Sequence, residues 1–109
     1  MSDKIVHITQ KNEHDQLVNS NQYTVIDFHA SWCGPCHLIA PTFEQLSNEH
    51  ADTKFVKVDV DEAGEIAQHY EIRSMPTFVF LKEGKEVDRL VGANKTELQN
   101  KVKDLPTRP

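Results

Sequence analysis

The residues best suited to covalent chemistry are Cys33 and Cys36, the two cysteines of this 109-residue sequence. They lie in the segment Trp32-Cys33-Gly34-Pro35-Cys36, which follows a strand pattern and precedes a helical pattern. The first sulfur is therefore expected at a helix N-terminus, where unpaired N–H groups and the helix dipole stabilise a thiolate. The second sulfur comes one turn later and is more shielded. Such a pair is suited to thiol–disulfide exchange, in which one sulfur attacks and the other resolves.

Composition and charge exclude several other classes of function. Twelve Lys and Arg residues against seventeen Asp and Glu give a net charge of −5, which argues against duplex nucleic acid or an anionic membrane as the main partner. No stretch approaches the roughly 18 apolar residues of a membrane span. The N-terminus shows no signal or transit peptide pattern, so we expect a cytoplasmic protein, in a compartment that keeps thiols reduced.

The elements that must position the cysteines alternate along the chain. Strand patterns cover Ile5–Ile8, Tyr23–Phe28, Phe55–Val60, Pro76–Leu81 and Val87–Val91. Helical spacing is found in Gln10–Ser20, in Leu38, Ile39, Phe43 and Leu46, in Ile66, Ala67 and Tyr70, and in Thr96–Leu105. The last helix is expected to be capped by Asn94 or Thr96 and to end at Pro106.

The connections between these elements predict the sheet. Strands joined by helical crossovers are expected to run parallel, whereas the turn at Glu83-Gly84-Lys85 predicts an antiparallel hairpin. The order β-α-β-α-β-α-β-β-α therefore predicts an α/β fold, with a mixed five-stranded central sheet flanked by four helices on its two faces.

With these elements in place, the sequence resembles the thioredoxin family over Ile5 to Leu105. The resemblance is carried by the segment Ala30 to Cys36, by Asp27 in the preceding strand and by Met75-Pro76-Thr77, with further matches at Lys57, Lys82-Glu83-Gly84 and Val91-Gly92. The Met75-Pro76-Thr77 form is similar to cytosolic eukaryotic members. The resemblance implies a single thioredoxin domain over residues 1–105 and a short C-terminal tail at 106–109.

The resemblance implies a protein-disulfide reductase with three catalytic residues. Cys33 would attack a substrate disulfide, and Cys36 would resolve the mixed disulfide. Asp27 would deprotonate Cys36, because a carboxylate buried among apolar strand residues has a raised pKa and accepts a proton near neutral pH. The alternative is that Asp27 is a strand-edge acid that faces solvent.

Further residues are expected to tune the redox chemistry. Gly34 and Pro35 resemble the dipeptide of the reducing members, and Lys57 on the neighbouring strand is expected near Asp27. His37 departs from the family, which most often has Lys or Arg there, and a histidine carries its charge only below a pKa of roughly 6.5. We therefore expect a more pH-dependent Cys33, unless His37 is simply solvated on the helix. His29 stands where many members have Trp, and looser packing behind the site is expected from it.

A substrate-docking surface is also implied by the resemblance. Its expected members are an apolar set around Cys33 and the proline that precedes a strand: Trp32, Gly34, Pro35, Met75, Pro76, Gly92 and Ala93. The Met75–Pro76 bond would be cis and would present the Met75 backbone as a strand edge to an extended substrate. Without the resemblance, Pro76 reads as a turn proline and Trp32 as a possible core residue.

The resemblance implies partners but no cofactor. The electron donor would be a flavin- and NADPH-dependent thioredoxin reductase, and the acceptors would be disulfide-bearing proteins such as peroxiredoxins, methionine sulfoxide reductases and ribonucleotide reductase. We expect a monomer.

Two other classes of function remain open from the residues alone. A zinc module would use Cys-x-x-Cys as half a site, although His7/His14, His29/His37 and His50/His69 miss the usual ligand spacing. An interaction module would use the docking surface without electron transfer.

Overall fold

The computed structural model describes residues 4–109, and these form an alternating α/β chain. Residues 1–3, which belong to the expected N-terminus without a targeting segment, lie outside the described residues. The elements are β1 (Ile5–His7), α1 (Lys11–Ser20), β2 (Tyr23–His29), α2 (Gly34–Glu49), β3 (Thr53–Asp59), α3 (Gly64–His69), β4 (Thr77–Lys82), β5 (Lys85–Val91) and α4 (Lys95–Asp104), followed by a 3-10 turn at Leu105–Thr107. The mixed five-stranded sheet and four flanking helices are confirmed.

The five strands lie in the order β1-β3-β2-β4-β5. β1, β3 and β2 run parallel, whereas β4 runs antiparallel to β2 and β5 antiparallel to β4. The expectation that every helical crossover joins parallel strands is wrong for α3. This helix of six residues rises only about 9 Å and cannot return the chain along a strand of about 23 Å. β4 therefore starts at the edge where β3 ends, as the pairs His29↔Asp59 and Phe28↔Thr77 show.

Two apolar clusters fill the space between the sheet and its helices. On one face, Ile26 and Phe28 of β2 pack with Val18 of α1 and Ile66 of α3. On the other face, Val25, which precedes Ile26 on β2, packs with a cluster from the sheet, α2 and α4 that includes Phe55, Phe78, Phe80, Phe43, Leu46, Leu98 and Val102. Because strand residues alternate between faces, Asp27 points to the same face as Val25, which is the α2 side.

The apolar pattern of α2 is only partly a core pattern. Ile39, Phe43 and Leu46 are buried as expected, but Leu38 is 82% exposed. Leu38 lies about 100° around the helix from Ile39, on the side that faces solvent.

Turn and capping residues set the β4–β5 hairpin and the start of α4. Glu83 and Gly84 have φ values of 52° and 83°, which are the left-handed conformations that a tight two-residue hairpin requires between β4 and β5. Asn94, rather than Thr96, caps α4, because its side-chain oxygen accepts the N–H of Glu97 at 3.0 Å.

Candidate active site

The cysteine pair lies where β2 ends and α2 begins. Cys33 is the N-cap residue of α2, and its N–H donates to the carbonyl of Ala30 at 3.1 Å. Cys33 and Cys36 form a disulfide with a Cα–Cα distance of 5.3 Å. The N–H of Cys36 donates to Cys33 Sγ at 3.2 Å. Once reduced, a Cys33 thiolate at this position accepts the same N–H and lies at the positive end of the helix dipole.

The surface beside the disulfide is exposed although both sulfurs are nearly covered. Cys33 and Cys36 are each 5% exposed, whereas Trp32 is 66% exposed. The Trp32 indole N–H donates to the carboxylate of Asp61 at 2.9 Å, which holds the ring at the surface. The alternative that Trp32 belongs to the core is therefore wrong. Gly34 and Pro35 are also exposed, so the disulfide is surrounded by a rim of exposed residues, Trp32, Gly34 and Pro35.

The loop before β4 reaches the cysteine pair from the other side. The Met75–Pro76 bond is cis, as the family resemblance implies. Met75 and Val60 pack against the small cluster formed by Ala30, Cys33 and Cys36. Pro76 is buried, and its carbonyl accepts the N–H of Gly92 at 2.9 Å. The paired ladder of β4 begins only at Thr77, so Met75 lies just beyond the sheet edge and next to the disulfide.

Asp27 is a buried carboxylate on the central strand. It is 1% exposed, and within residues 4–109 its Oδ1 has no hydrogen-bond partner. The alternative of a solvent-facing acid is therefore wrong. Loss of hydration raises the pKa of Asp27 from 3.8 to about 7, although the positive charge of Lys57, its register partner on β3, acts in the opposite direction. The group can therefore exchange a proton near neutral pH.

Two histidines lie close to the cysteines in different environments. His37 is exposed, but its ring is not simply solvated, because Nε2–H donates to the carbonyl of Ser31 at 2.8 Å and ties the first turn of α2 to the preceding loop. His29 is half-buried at the end of β2, and its pKa is lowered mainly by burial and then by the charge of Lys57. In register it faces Asp59 of β3.

The structure brings together most of the expected site residues and adds three that sequence reasoning missed. Val60, Asp61 and Ser31 support the site by packing on the disulfide, by holding Trp32 and by accepting from His37. Val60 and Asp61 directly follow β3, and the carboxyl ends of neighbouring parallel strands meet at one edge of the sheet. This position in the sequence is the signal that could have placed the two residues beside the cysteine pair. Within residues 4–109, no group of three or more His, Cys, Asp or Glu is arranged to hold a metal ion.

A Cys-x-x-Cys disulfide at the start of a helix, beside a cis-proline loop and preceded by a strand with a buried carboxylate, defines the class of thiol–disulfide oxidoreductases. The comparisons with known proteins agree and are more specific. The Thioredoxin family model matches residues 4–104, and the chain belongs to the thioredoxin family. It acts as a protein-disulfide oxidoreductase by dithiol–disulfide exchange through Cys33 and Cys36.

The individual relatives match between 77% and 93% of this chain. Thioredoxin from Mycoplasmoides gallisepticum is 49% identical over 98 residues, which are 89% of this chain and 98% of that protein. Thioredoxin H2-2 from Oryza sativa is 52% identical over 84 residues, which are 77% of this chain and 63% of that protein. The crystal structure of oxidised mitochondrial thioredoxin 3 from Saccharomyces cerevisiae, at 42% identity, superposes with a TM-score of 0.89 and covers 93% of this chain and 95% of that one.

Across residues 4–109, no helix has both the length and the apolar character needed to span a membrane.

Proposed function

We propose that Cys33 is the attacking nucleophile and that Cys36 resolves the intermediate. The Cys33 thiolate forms a bond to one sulfur of a substrate disulfide, and the other substrate sulfur leaves as a thiolate. Cys36 then attacks Cys33 Sγ, which releases the second substrate thiol and leaves the protein oxidised. The observation that carries this assignment is the position of Cys33 Sγ, which accepts the N–H of Cys36 at the N-terminus of α2 beside an exposed rim.

Asp27 is proposed as the proton acceptor for Cys36. Its pKa of about 7 allows it to take a proton at neutral pH, and its side chain lies on the α2 face of the sheet, on the strand that leads to Cys33. Lys57 would keep this pKa from rising further. In Asp27→Asn, we expect the mixed disulfide to accumulate at neutral pH because resolution is slowed. Trapping by acid quench and mass spectrometry checks this, and an unchanged lifetime of the mixed disulfide would remove Asp27 from the mechanism.

His37, Gly34 and Pro35 are proposed to tune the reactivity of Cys33. The imidazole of His37 lies one residue past the pair, and its hydrogen bond to the Ser31 carbonyl holds the ring at the first turn of α2. A permanent cation in His37→Lys should raise the alkylation rate of reduced Cys33 at neutral pH and flatten its dependence on pH. Superimposable alkylation curves for the two proteins would contradict this coupling.

The proposed docking surface consists of Trp32, Gly34, Pro35, Met75, Pro76, Gly92 and Ala93. An extended substrate segment would pair with the Met75 backbone, which lies outside the β4 ladder, and would cover the exposed Trp32 ring. The surface fits locally unfolded segments that carry a disulfide rather than a small ligand.

The proposed electron donor is an NADPH-dependent thioredoxin reductase, and the proposed acceptors are disulfides of peroxiredoxin, methionine sulfoxide reductase and ribonucleotide reductase type. A solved structure of a yeast thioredoxin concerns the resolution of a 1-Cys peroxiredoxin, which supports the first acceptor. The protein would act as a monomer in the cytoplasm. One relative is mitochondrial by name, so import of a tagged chain into mitochondria is the outcome that would contradict this location.

A coupled assay tests both ends of the electron path. Insulin reduction should proceed with NADPH and a thioredoxin reductase, and it should stop in Cys33→Ser. In Cys36→Ser the protein should be trapped as a mixed disulfide after one attack. Ser31→Ala is a matched control, because the Ser31 contact to His37 uses the backbone carbonyl and survives the substitution. Full insulin reduction by Cys33→Ser would overturn the assignment.

A further inference from the structure

A small cleft adjoins the proposed docking surface and shares Ala93 with it. It is lined by three apolar residues, Leu38, Ile39 and Ala93, and by Thr42 and Lys95. Its volume is about 120 Å³. For comparison, a cavity of roughly 150 Å³ holds one benzene molecule, so the cleft has the size of a single apolar side chain.

Leu38 is the unusual residue of this cleft. It is 82% exposed on α2, whereas its neighbour Ile39 is 3% exposed. Core packing therefore does not account for a leucine here. Pro35 and Leu38 are three residues apart on one helix, so they are surface neighbours about 5–6 Å apart at Cβ. The apolar surface thus continues from the Cys-x-x-Cys segment to the cleft, and Ala93 joins the cleft to the docking surface on the opposite side.

We propose that this cleft, which we call the Leu38 cleft, binds one apolar side chain of the substrate segment during disulfide exchange and so sets substrate preference. The mixed disulfide requires a substrate cysteine to lie over Cys33, next to Pro35. An extended chain advances about 3.3 Å per residue, so a side chain two or three residues from the attacked cysteine reaches Leu38. Lys95 contributes the positive charge among the cleft residues and favours an acidic residue next to the apolar one.

The proposal rests on disulfide exchange through Cys33 and is tested with peptides that carry one activated disulfide. Each peptide has a single cysteine bonded to 2-nitro-5-thiobenzoate, and reduced protein is mixed with it in a single turnover. Cys33 bonds to the peptide sulfur, and the coloured thiolate leaves with the electron pair of the broken S–S bond. Cys36 then displaces the peptide thiol, so the protein dithiol is oxidised and the peptide disulfide is reduced.

The peptide series moves one leucine through the positions on either side of the cysteine, with serine as the reference. We expect the leucine peptide to react about fivefold faster at a position two or three residues from the cysteine, because the cleft removes part of its apolar surface from water. In Leu38→Gln the ratio of the two rates should fall close to one. Because Leu38 is exposed on the helix, this substitution leaves the fold intact, which circular dichroism checks.

Val91→Thr is the matched control, because Val91 is a 59% exposed apolar residue that does not line the cleft. This variant should keep the leucine preference. The proposal is overturned if no position shows a preference, or if Leu38→Gln retains it, or if Val91→Thr loses it equally. Replacing the neighbouring residue of the leucine peptide by glutamate should accelerate exchange in the wild-type protein but not in Lys95→Gln. Absence of any reaction with the serine peptide would instead indicate failure of the exchange function itself.

Discussion

At the level of single residues, Asp27 combines complete burial with a charge that prefers water. Its pKa rises from 3.8 to about 7, so between these values the folded protein holds a proton that the unfolded chain has lost. Stability from this group is therefore fully present below pH 3.8 and is lost as the pH rises through about 7. At 1.36 kcal/mol per pKa unit, the loss amounts to about 4 kcal/mol.

Asp27→Asn should remove this dependence, because an amide cannot ionise. We expect the oxidised variant to be more stable than the oxidised wild type by about 4 kcal/mol near pH 8.5, and by less than half of that near pH 5. Urea unfolding of both proteins at the two pH values gives the comparison. An equal difference in unfolding free energy between the two proteins at both pH values would mean that Asp27 does not titrate in this range. The proton transfer proposed for Asp27 and the stability of the fold thus make opposite demands on this position.

At the level of elements, a buried polar chain joins α1 to the end of α3. His14 is 3% exposed, its Nδ1–H donates to Asp15 at 2.8 Å, and its Nε2 accepts from the Tyr70 hydroxyl at 2.5 Å. Burial is the main cause that lowers the pKa of His14, so the ring is neutral at pH 7 and suits this arrangement. Arg89 of β5 also donates to the Tyr70 carbonyl at 2.8 Å. Tyr70 is therefore fixed on two sides, at the start of the loop that leads to Met75.

Removing one side chain of the His14–Tyr70 pair should lower the free energy of unfolding more than removing both. We expect His14→Phe and Tyr70→Phe each to lower the free energy of unfolding by about 1–3 kcal/mol, because each leaves a buried polar group unpaired. The double variant should lie close to the wild type. Urea unfolding of the wild type, the two single variants and the double variant at neutral pH gives a double-mutant cycle. Strictly additive losses of unfolding free energy would contradict a coupled pair. Because the folded pKa is lowered, the wild type should also lose stability as the pH falls below 6.5, and the double variant should lose less.

The elements also show what sequence reasoning can and cannot supply. Strands, helices and the cysteine site follow from apolar periodicity and from Cys-x-x-Cys, which are local patterns. The direction of β4 does not follow from such patterns, because it depends on whether α3 is long enough to return the chain along a whole strand. The His14–Tyr70 bond joins residues 56 positions apart, and no local pattern marks it. The helical spacing groups Leu38 with Ile39, but this spacing does not show how far the buried face extends around α2.

At the level of the whole molecule, the C-terminal segment fastens α4 to the sheet. Asp88 of β5 accepts from Lys101 at 3.0 Å and from Arg108 at 2.6 Å, and Lys82 of β4 donates to the Arg108 carbonyl at 2.7 Å. Leu105 is fully buried in the cluster on the α2 and α4 face. The sequence predicted a tail at 106–109, and Arg108 in this tail contacts two strands.

Truncation after Leu105 should therefore leave a folded but weaker domain. It keeps the buried leucine and the Lys101–Asp88 pair but removes both contacts of Arg108, which are partly exposed and together contribute about 1 kcal/mol. A chain that lacks Pro109 alone is the matched control and should match the full-length protein, since it retains Arg108. Urea midpoints of the three chains at low and high salt make the comparison. Because part of the loss is a charge pair, the difference should shrink at high salt. An unfolded truncated chain would mean that residues 106–109 belong to the domain itself, and an unchanged midpoint would mean that Arg108 contributes no stability.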